Sequence, residues 1–319
     1  MLTGGAGRGY LTAMRIHALI VVVCLLPAVW GCAGSEGPPP VPPTAEELAV
    51  QRREARAAEA LAEAMQLRHD DGFLDEDAAL GYLDQALELD PDLAMARYYR
   101  ASILFSQGRA DEALADVDRA IELKPDHVQA HYMRGSILLN QGRYREAARD
   151  FTEVVKGDPS IAEAFVRRGL CYLRLNRDDE AIDDFGSALA IDPADQDASY
   201  NRGMTYLARH DYEAALRDLS QAYVLDSDNV RLLTARGQAL LKLKRYGRAA
   251  ADYRRATELE PGQSALYGLL GEALAGDGRM REAVAAVERA LALAVARGDE
   301  FLAAQYRAQL AQYRDAALP

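Results

Sequence analysis

Five arginines and five aspartates form the most regular pattern of chemically active side chains in this sequence. Each set repeats every 34 residues, and every aspartate follows an arginine by 16 residues. The pairs are Arg100 with Asp116, Arg134 with Asp150, Arg168 with Asp184, Arg202 with Asp218, and Arg236 with Asp252. We predict structural ion pairs between the two helices of one unit, each contributing about 0–1 kcal/mol where partly exposed. The alternative is a row of arginines that captures acidic ligands.

Two histidines have a spacing that could serve a metal. His127 and His131 are four residues apart, which places two ligands on one face of a helix. No third ligand accompanies them, and His131 stands where other units have Phe165, Leu233 or Tyr267, which favours a packing role. The sequence has no Gly-x-Ser-x-Gly, phosphate-loop or Cys-x-x-Cys motif. We therefore predict no enzyme activity, no metal site and no cofactor.

The elements that must position these side chains follow the same 34-residue period. An alanine recurs at seven positions: Ala79, Ala113, Ala147, Ala181, Ala215, Ala249 and Ala283. A glycine recurs at Gly135, Gly169, Gly203, Gly237 and Gly271, with Ala101 in the same place one unit earlier. Prolines recur at Pro91, Pro125, Pro159, Pro193 and Pro261. A fixed period of this size is typical of stacked copies of one small unit.

These small and apolar residues predict pairs of closely packed antiparallel helices. We expect each glycine on a first helix to face the alanine on the second, because small side chains allow the two backbones to approach. The apolar residue four positions after the alanine, such as Phe151 or Tyr253, fills the seam between them. Each proline suits the first turn of the next helix. Gly108, Gly142 and Gly278 are expected to end first helices in a left-handed conformation.

A 34-residue helix–turn–helix unit with this pattern resembles the tetratricopeptide repeat family over roughly residues 60–297. The resemblance implies an all-α fold, a right-handed α-solenoid of about seven repeats between a long N-terminal helix and a C-terminal capping helix. The solenoid is expected over residues 44–319, with the long helix at 44–70 and the cap at 299–318. The repeats are expected at about 60–93, 94–127, 128–161, 162–195, 196–229, 230–263 and 264–297.

In this family the first helices line a concave groove, whose variable positions contact extended peptides or partner helices. The positions that the resemblance assigns to partner binding are Tyr98, Phe105, Tyr132, Asn140, Arg174, Tyr200, Arg231 and Lys242. The amino-terminal half of the groove is expected to be aromatic and neutral, and the other half basic. The alternative is that Tyr98 and Tyr132 pack against neighbouring repeats. The carboxylate-binding residues of the family's chaperone-binding members have no counterparts here, so that activity is not implied.

The amino terminus predicts an export signal. An apolar run from Ile16 to Trp30 follows Arg15 and is shorter than the roughly 20 residues that cross a bilayer. Its end at Cys32 resembles a bacterial lipoprotein signal, which implies residues 1–31 as signal peptide and a lipid on Cys32. Residues 32–43 then form a proline-rich linker, and Met14 is a more typical start than the first residue. Ordinary signal cleavage without lipid is the alternative.

Composition argues against a nucleic-acid partner and says little about which other partner the protein has. The formal net charge is −12, and nucleic-acid binding, which needs a basic surface, is not expected. Ala33 after the cysteine favours the periplasmic side of the outer membrane, with a soluble periplasmic or secreted protein as the alternative. We expect a scaffold or adaptor of the cell envelope; similar lipoproteins assist pilus or secretin assembly or recruit cell-wall hydrolases. A self-associating structural protein is the second hypothesis, and the sequence leaves the oligomeric state open.

Overall fold

The structure is a computed structural model that describes residues 42–70 and 72–316. The predicted signal segment and Cys32 lie outside these residues. The chain divides into two units, Met1–Leu48 and Ala49–Pro319. In the first unit, Thr44 and Glu47 form a capping box: each backbone N–H donates to the other side chain, at 2.6 and 3.2 Å. This reciprocal cap begins the first helix.

The described residues form fifteen helices and one small hairpin, and the all-helical fold predicted from the 34-residue period is confirmed. The first helix and the hairpin are α1 (Ala45–Gln66), β1 (Arg68–His69) and β2 (Gly72–Phe73). Paired helices follow: α2 (Glu76–Leu89), α3 (Ala94–Ser106), α4 (Ala110–Leu123), α5 (Val128–Asn140), α6 (Tyr144–Gly157), α7 (Ala162–Arg174) and α8 (Asp178–Ile191). The rest are α9 (Gln196–Ala208), α10 (Tyr212–Leu225), α11 (Val230–Lys242), α12 (Tyr246–Leu259), α13 (Ser264–Gly276), α14 (Met280–Ala296) and α15 (Glu300–Ala316). None of the helices described between residues 42 and 316 is both long and apolar enough to cross a membrane.

The first repeat differs from the prediction at its turn. The helix expected over 44–70 ends at Gln66, and an antiparallel hairpin follows in which Arg68 pairs with Phe73. The guanidinium of Arg68 lies 5.5 Å from the ring centre of Tyr99, and the Phe73 ring meets Tyr99 edge-on at 6.2 Å. The hairpin therefore places the Arg68 guanidinium and the Phe73 ring against Tyr99 of α3.

Six residues at the 34-residue period end the first helices with a positive φ. Gly108, Gly142 and Gly278 do so at 78°, 75° and 77°, as the sequence predicts. Asn176, His210 and Lys244 take the same place in the other repeats, at 56°, 64° and 59°. Asparagine tolerates this conformation, whereas histidine and lysine are strained there because the Cβ crowds the following carbonyl oxygen.

The close approach of paired helices has a different cause from the one expected. The seven repeat alanines are fully buried. Four of the five repeat glycines, however, face the bulky side chain 16 residues later rather than the alanine. A Cβ on Gly169 would lie 2.8 Å from the Phe185 ring, and one on Gly237 would lie 2.7 Å from Tyr253. The glycine thus makes room for the ring that fills the seam. The fifth, Gly271, lies against both Val287 and the backbone of Ala283.

The last helix covers the final repeat. Tyr306, Leu310 and Tyr313 on α15 are buried, and Leu302 is half-buried. Gly268 lies directly beneath Tyr306, where a Cβ would come within 2.7 Å of the ring. These contacts cover the outer face that a terminal repeat would otherwise expose.

Candidate partner-binding groove and arginine–aspartate ladder

The five arginines and five aspartates that open the sequence analysis form five ion pairs between the helices of five successive repeats. We call this row of pairs, from Arg100–Asp116 to Arg236–Asp252, the ladder. In every pair the arginine donates from Nε and Nη2 to the two oxygens of the aspartate 16 residues later, over 2.6–2.9 Å. All five aspartates are buried, and the arginines are half-buried. This bidentate geometry fixes the rotation of one helix against the other. It also directs the five arginine side chains toward the buried aspartates rather than toward solvent.

The pairs differ in how many cations each aspartate receives. Burial alone would raise the pKa of Asp150, but hydrogen bonds from His131 and Arg134 outweigh it and the pKa is lowered. Asp184 has Arg168 as its ion-pair partner, and there burial wins and raises the pKa. The negative charge of Asp150 is therefore more fully compensated by neighbouring cations than that of Asp184 one repeat later.

His131 is buried, in keeping with the packing role expected from the sequence, and it also makes hydrogen bonds to the ladder that the sequence did not predict. Its Nδ1 lies 2.9 Å from Asp150 Oδ1 and its Nε2 lies 2.9 Å from the carbonyl oxygen of Pro125. Both partners are acceptors, so the arrangement requires a proton on each ring nitrogen. The hydrogen bond to Asp150 accordingly raises the pKa of His131. One repeat earlier, Arg97 makes the same two contacts, to Asp116 and to the carbonyl of Pro91, at 2.9 and 2.8 Å.

His127 lies apart from this network. Its ring packs against Tyr98 with the ring centres 5.0 Å apart, and burial lowers its pKa. Neither of its ring nitrogens has a hydrogen-bond partner in the structure. The two histidines do not converge, because both nitrogens of His131 are already engaged. Within residues 42–70 and 72–316 no three His, Cys, Asp or Glu side chains are grouped as metal ligands.

The eight residues assigned to partner binding all lie on first helices. These helices contact one another in succession: α3 with α5, α5 with α7, α7 with α9, and α9 with α11. The aromatic members are half-buried, namely Tyr98, Phe105, Tyr132 and Tyr200. The polar members are exposed, namely Asn140, Arg174, Arg231 and Lys242. The surface thus has a partly apolar floor and exposed polar side chains.

The two amino-terminal tyrosines pack against their neighbours, as the alternative interpretation expected. Tyr98 contacts Tyr99 at 5.1 Å between ring centres, in addition to His127. Tyr132 meets Phe151 edge-on at 5.8 Å, and its hydroxyl accepts a 2.8 Å hydrogen bond from Nε of Arg167 in the next repeat. Burial raises the pKa of both tyrosine hydroxyls. These rings are anchored, and only part of each is free to meet a partner.

A pocket opens in the carboxyl-terminal half, at Tyr200. It has a volume of about 170 Å³ and lies between α9 and the start of α11. Its polar lining includes Asn201 and Asn229, which the sequence did not single out, and the Arg231 guanidinium lies 5.4 Å from the Tyr200 ring centre. The Asn229 carboxamide is already engaged, since its oxygen caps α11 and its nitrogen donates to Asp226. The other polar groups of the lining, including Gln196, the Asn201 oxygen and Arg231, are the donors and acceptors that a peptide backbone could use.

The carboxyl-terminal half of the groove has fewer unpaired basic side chains than its number of Lys and Arg residues suggests. Arg245 donates to Glu213 at 2.8 Å, and Lys244 is the strained turn residue described above. Arg174 leans over the Tyr144 ring at 5.8 Å. Among the described residues, Arg231 and Lys242 make no ion pair within 4.0 Å.

Family models locate the same repeats. The tetratricopeptide repeat model matches residues 132–199, 200–264 and 234–299, which together span more than half of the chain. The chain belongs to the tetratricopeptide repeat family. A second model, for subunit 3 of the anaphase-promoting complex or cyclosome, matches residues 74–154 and covers the first repeats of this tetratricopeptide repeat protein. No curated protein sequence matches the chain.

Solved structures share the fold at low identity. A TPR repeat-containing protein from Cytophaga hutchinsonii has a TM-score of 0.60 at 17% identity, covering 69% of this chain and 88% of that one. PilF of Pseudomonas aeruginosa has a TM-score of 0.53 at 19% identity, covering 67% and 94%. YrrB, described as a TPR protein with an unusual peptide-binding site, has a TM-score of 0.52 at 20% identity, covering 56% and 92%. At such identities the likeness concerns the fold.

Proposed function

We propose that this tetratricopeptide repeat protein is an adaptor that binds an extended segment of a partner protein along its first helices. Proteins of the family mediate protein–protein interactions. The observation that carries the proposal is the pocket at Tyr200, where an aromatic ring, three carboxamides, the Asp197 carboxylate and the Arg231 guanidinium surround an open volume. Aromatic and arginine side chains at such positions are favoured anchors for protein partners.

The proposed site extends from this pocket toward the amino terminus. Asn140, Arg174 and Lys242 are exposed on first helices, while Tyr98, Phe105 and Tyr132 contribute partly buried rings. A partner segment would gain polar contacts at the exposed positions and apolar contacts on the rings. YrrB provides a precedent within the same fold for a peptide-binding site on such repeats.

The experiment compares charge-matched triple variants of the purified protein and of the protein in its native cell. Arg174→Ala/Arg231→Ala/Lys242→Ala removes three exposed cations from the proposed site. The control, Arg217→Ala/Arg248→Ala/Arg281→Ala, removes three exposed arginines from second helices. After crosslinking in cells and affinity purification, the control is expected to retain the wild-type partner and the site variant to lose it. Equal recovery by both variants, with unchanged circular dichroism, would refute the groove.

We further propose that the adaptor is held in the cell envelope of a bacterium by a lipid on Cys32. The apolar run Ile16–Trp30 before Cys32 and the proline-rich linker 32–43 support this, and the periplasmic side of the outer membrane is the proposed location. Pilus or secretin assembly and recruitment of cell-wall enzymes are the processes that fit such an adaptor. Radioactive palmitate should label the wild type and not Cys32→Ala, which should move to the soluble fraction. Labelling that survives in Cys32→Ala would refute the anchor.

Self-association is a second candidate, favoured by one observation. Val295 and Phe301 are 48% and 74% exposed beside an apolar groove of about 660 Å³ between α14 and α15. Exposed apolar surface of this kind commonly marks contact sites. Sedimentation velocity over a hundredfold concentration range decides the matter, since a strict monomer removes this candidate.

A further inference from the structure

The first two ladder arginines have a third hydrogen bond, to a carboxylate, that the other three lack, because Thr152, Gly186 and Ser220 stand at the later equivalent positions. Nη1 of Arg100 donates to Asp84 at 2.8 Å, and Nη1 of Arg134 donates to Asp118 at 2.9 Å. Both acceptors lie on the second helix of the preceding repeat. At Arg168 the equivalent residue is Thr152, whose hydroxyl oxygen lies 3.3 Å from Nη1. This repeat has a weak hydroxyl contact where its two predecessors have a carboxylate.

The missing carboxylate coincides with a pocket. A volume of about 390 Å³ opens between α6 and the end of α7, lined by Arg145, Arg149, Thr152, Tyr172 and Arg177 among others. A pocket of about 260 Å³ occupies the equivalent place one repeat earlier, and there Asp118 and Asp150 are part of the lining. The later pocket is thus larger and lacks the aspartate at this position.

The larger pocket is positively charged, whereas the chain as a whole has a negative net charge. Arg145 and Arg149 are exposed, lie one helical turn apart on α6, and have no carboxylate within 4.0 Å among the described residues. Like charges at this spacing repel. The repeat before has Asp111 at the first of these positions, and the repeat after has Asp179 there.

The other residues in and beside the pocket contribute two further cations and some apolar surface. The guanidinium of Arg177 lies 4.4 Å from the Tyr172 ring centre and donates to Glu180 at 2.8 Å. Arg168, already paired with Asp184, directs Nη1 toward Thr152 at the pocket wall. Glu180 and Asp184 are the carboxylates paired with these lining and wall cations, so Arg145 and Arg149 supply the uncompensated charge. Tyr172 and Ala148 supply apolar surface beside them.

We infer that this pocket binds the carboxylate of an acidic peptide segment. A carboxylate placed where Asp84 and Asp118 stand in the earlier repeats would accept from Nη1 of Arg168 and from Arg145 or Arg149. The earlier repeats show that this position accommodates a planar carboxylate on a short side chain. Binding would also relieve the repulsion between the two unpaired arginines.

The site is a second binding surface beyond the proposed groove. None of its lining residues is among the eight assigned to partner binding, so the inference does not depend on the groove. A failure of either site leaves the other testable, because their variants share no residue.

The experiment measures binding of a fluorescein-labelled hexaglutamate peptide to the full chain by fluorescence anisotropy. Thr152→Asp installs the carboxylate of the earlier repeats and leaves every arginine in place. Arg145→Gln/Arg149→Gln removes the unpaired charges. The control is Arg281→Gln/Arg217→Gln, which changes exposed arginines at the same two positions of other repeats. Circular dichroism checks that all four proteins retain the wild-type helix content.

Wild type and control are expected to bind the peptide equally, and both site variants to bind at least about tenfold more weakly, since each loses charge-assisted hydrogen bonds to the ligand. The inference is overturned if wild type does not bind, or if Thr152→Asp binds as tightly as wild type. It is also overturned if inorganic phosphate displaces the peptide at a lower concentration than glutamate does, because the site would then be a phosphate site.

Discussion

Replacing Gly237 by alanine tests the packing rule of the repeats. The added Cβ would lie 2.7 Å from Cζ of Tyr253 and 2.8 Å from Cε1, well inside the ordinary contact range of 3.4–4 Å. Tyr253 is fully buried and cannot swing aside. Overpacking of this kind typically costs about 1–3 kcal/mol, and the better helix propensity of alanine returns about 0.5–1 kcal/mol. We therefore expect Gly237→Ala to lower the free energy of unfolding by about 1–2 kcal/mol.

Gly81 provides the matched control. It lies on α2, is exposed, and has no atom within 4 Å of an added Cβ. Gly81→Ala should therefore raise the free energy of unfolding by about 0.5–1 kcal/mol through helix propensity alone. The assay is urea unfolding followed by far-ultraviolet circular dichroism. Opposite shifts of the midpoint are expected, so the conclusion does not require a single cooperative transition.

A double variant locates the clash. Ala101 already stands opposite Val117 in an earlier repeat, and both are fully buried, so alanine and valine fit together at these positions. In a Tyr253→Val background, Gly237→Ala should no longer be destabilising. The reasoning is refuted if Gly237→Ala is as stable as wild type, or if its cost is unchanged in that background.

Three further predictions follow from local geometry. Lys244→Gly should stabilise the protein by about 0.5–1 kcal/mol because Lys244 has a positive φ, whereas Gln238→Gly at an exposed position inside α11 should destabilise it by about 1 kcal/mol; thermal unfolding of the two variants compares them. Because the folded pKa of His131 is raised, its stabilisation is complete below the unfolded value of about 6.5 and is lost as pH rises through the folded pKa. His131→Arg copies Arg97 and should keep its stability at pH 8.5 where wild type loses part of its own, and parallel pH profiles of the two proteins in urea unfolding would contradict this. Burial raises the pKa of the Cys171 thiol to about 12, so iodoacetamide at pH 8 should alkylate Cys171 only after denaturation, as mass spectrometry of its peptide will show.

Much of the fold could be predicted because the relevant signals are local and repeated. The 34-residue period predicts the helix pairs, and three glycines predict left-handed helix ends. The hairpin at residues 68–73 has no counterpart in other repeats, so periodicity gives no sign of it. Its residues Arg68 and Phe73 both contact Tyr99 on α3, and a tertiary contact of this kind leaves no trace in the 34-residue period.

The sites were harder to predict because they depend on departures from the pattern. His131 stands where later repeats have Phe165, Leu233 and Tyr267, but the preceding repeat has Arg97 there, and that residue was the available signal for the contacts of His131 with Asp150 and the Pro125 carbonyl. The proposed anion pocket has only a partial signal in the sequence: Thr152 replaces the aspartate found at positions 84 and 118, but Gly186 and Ser220 replace it in the next two repeats as well. The Thr152 repeat differs in having Arg145 and Arg149 on α6, and the structure shows that neither forms an ion pair with a described carboxylate.

The central claim, that a partner protein lies along the first helices, is tested most directly by site-specific photocrosslinking in cells. A photoreactive amino acid replaces one exposed residue at a time, on a first helix at Gln129 or Arg231 and on the second helix of the same repeats at Glu153 or Glu258. The account predicts one adduct of the same mass from both first-helix positions and no adduct of that mass from the second-helix positions. Adducts from the second-helix positions alone would contradict it.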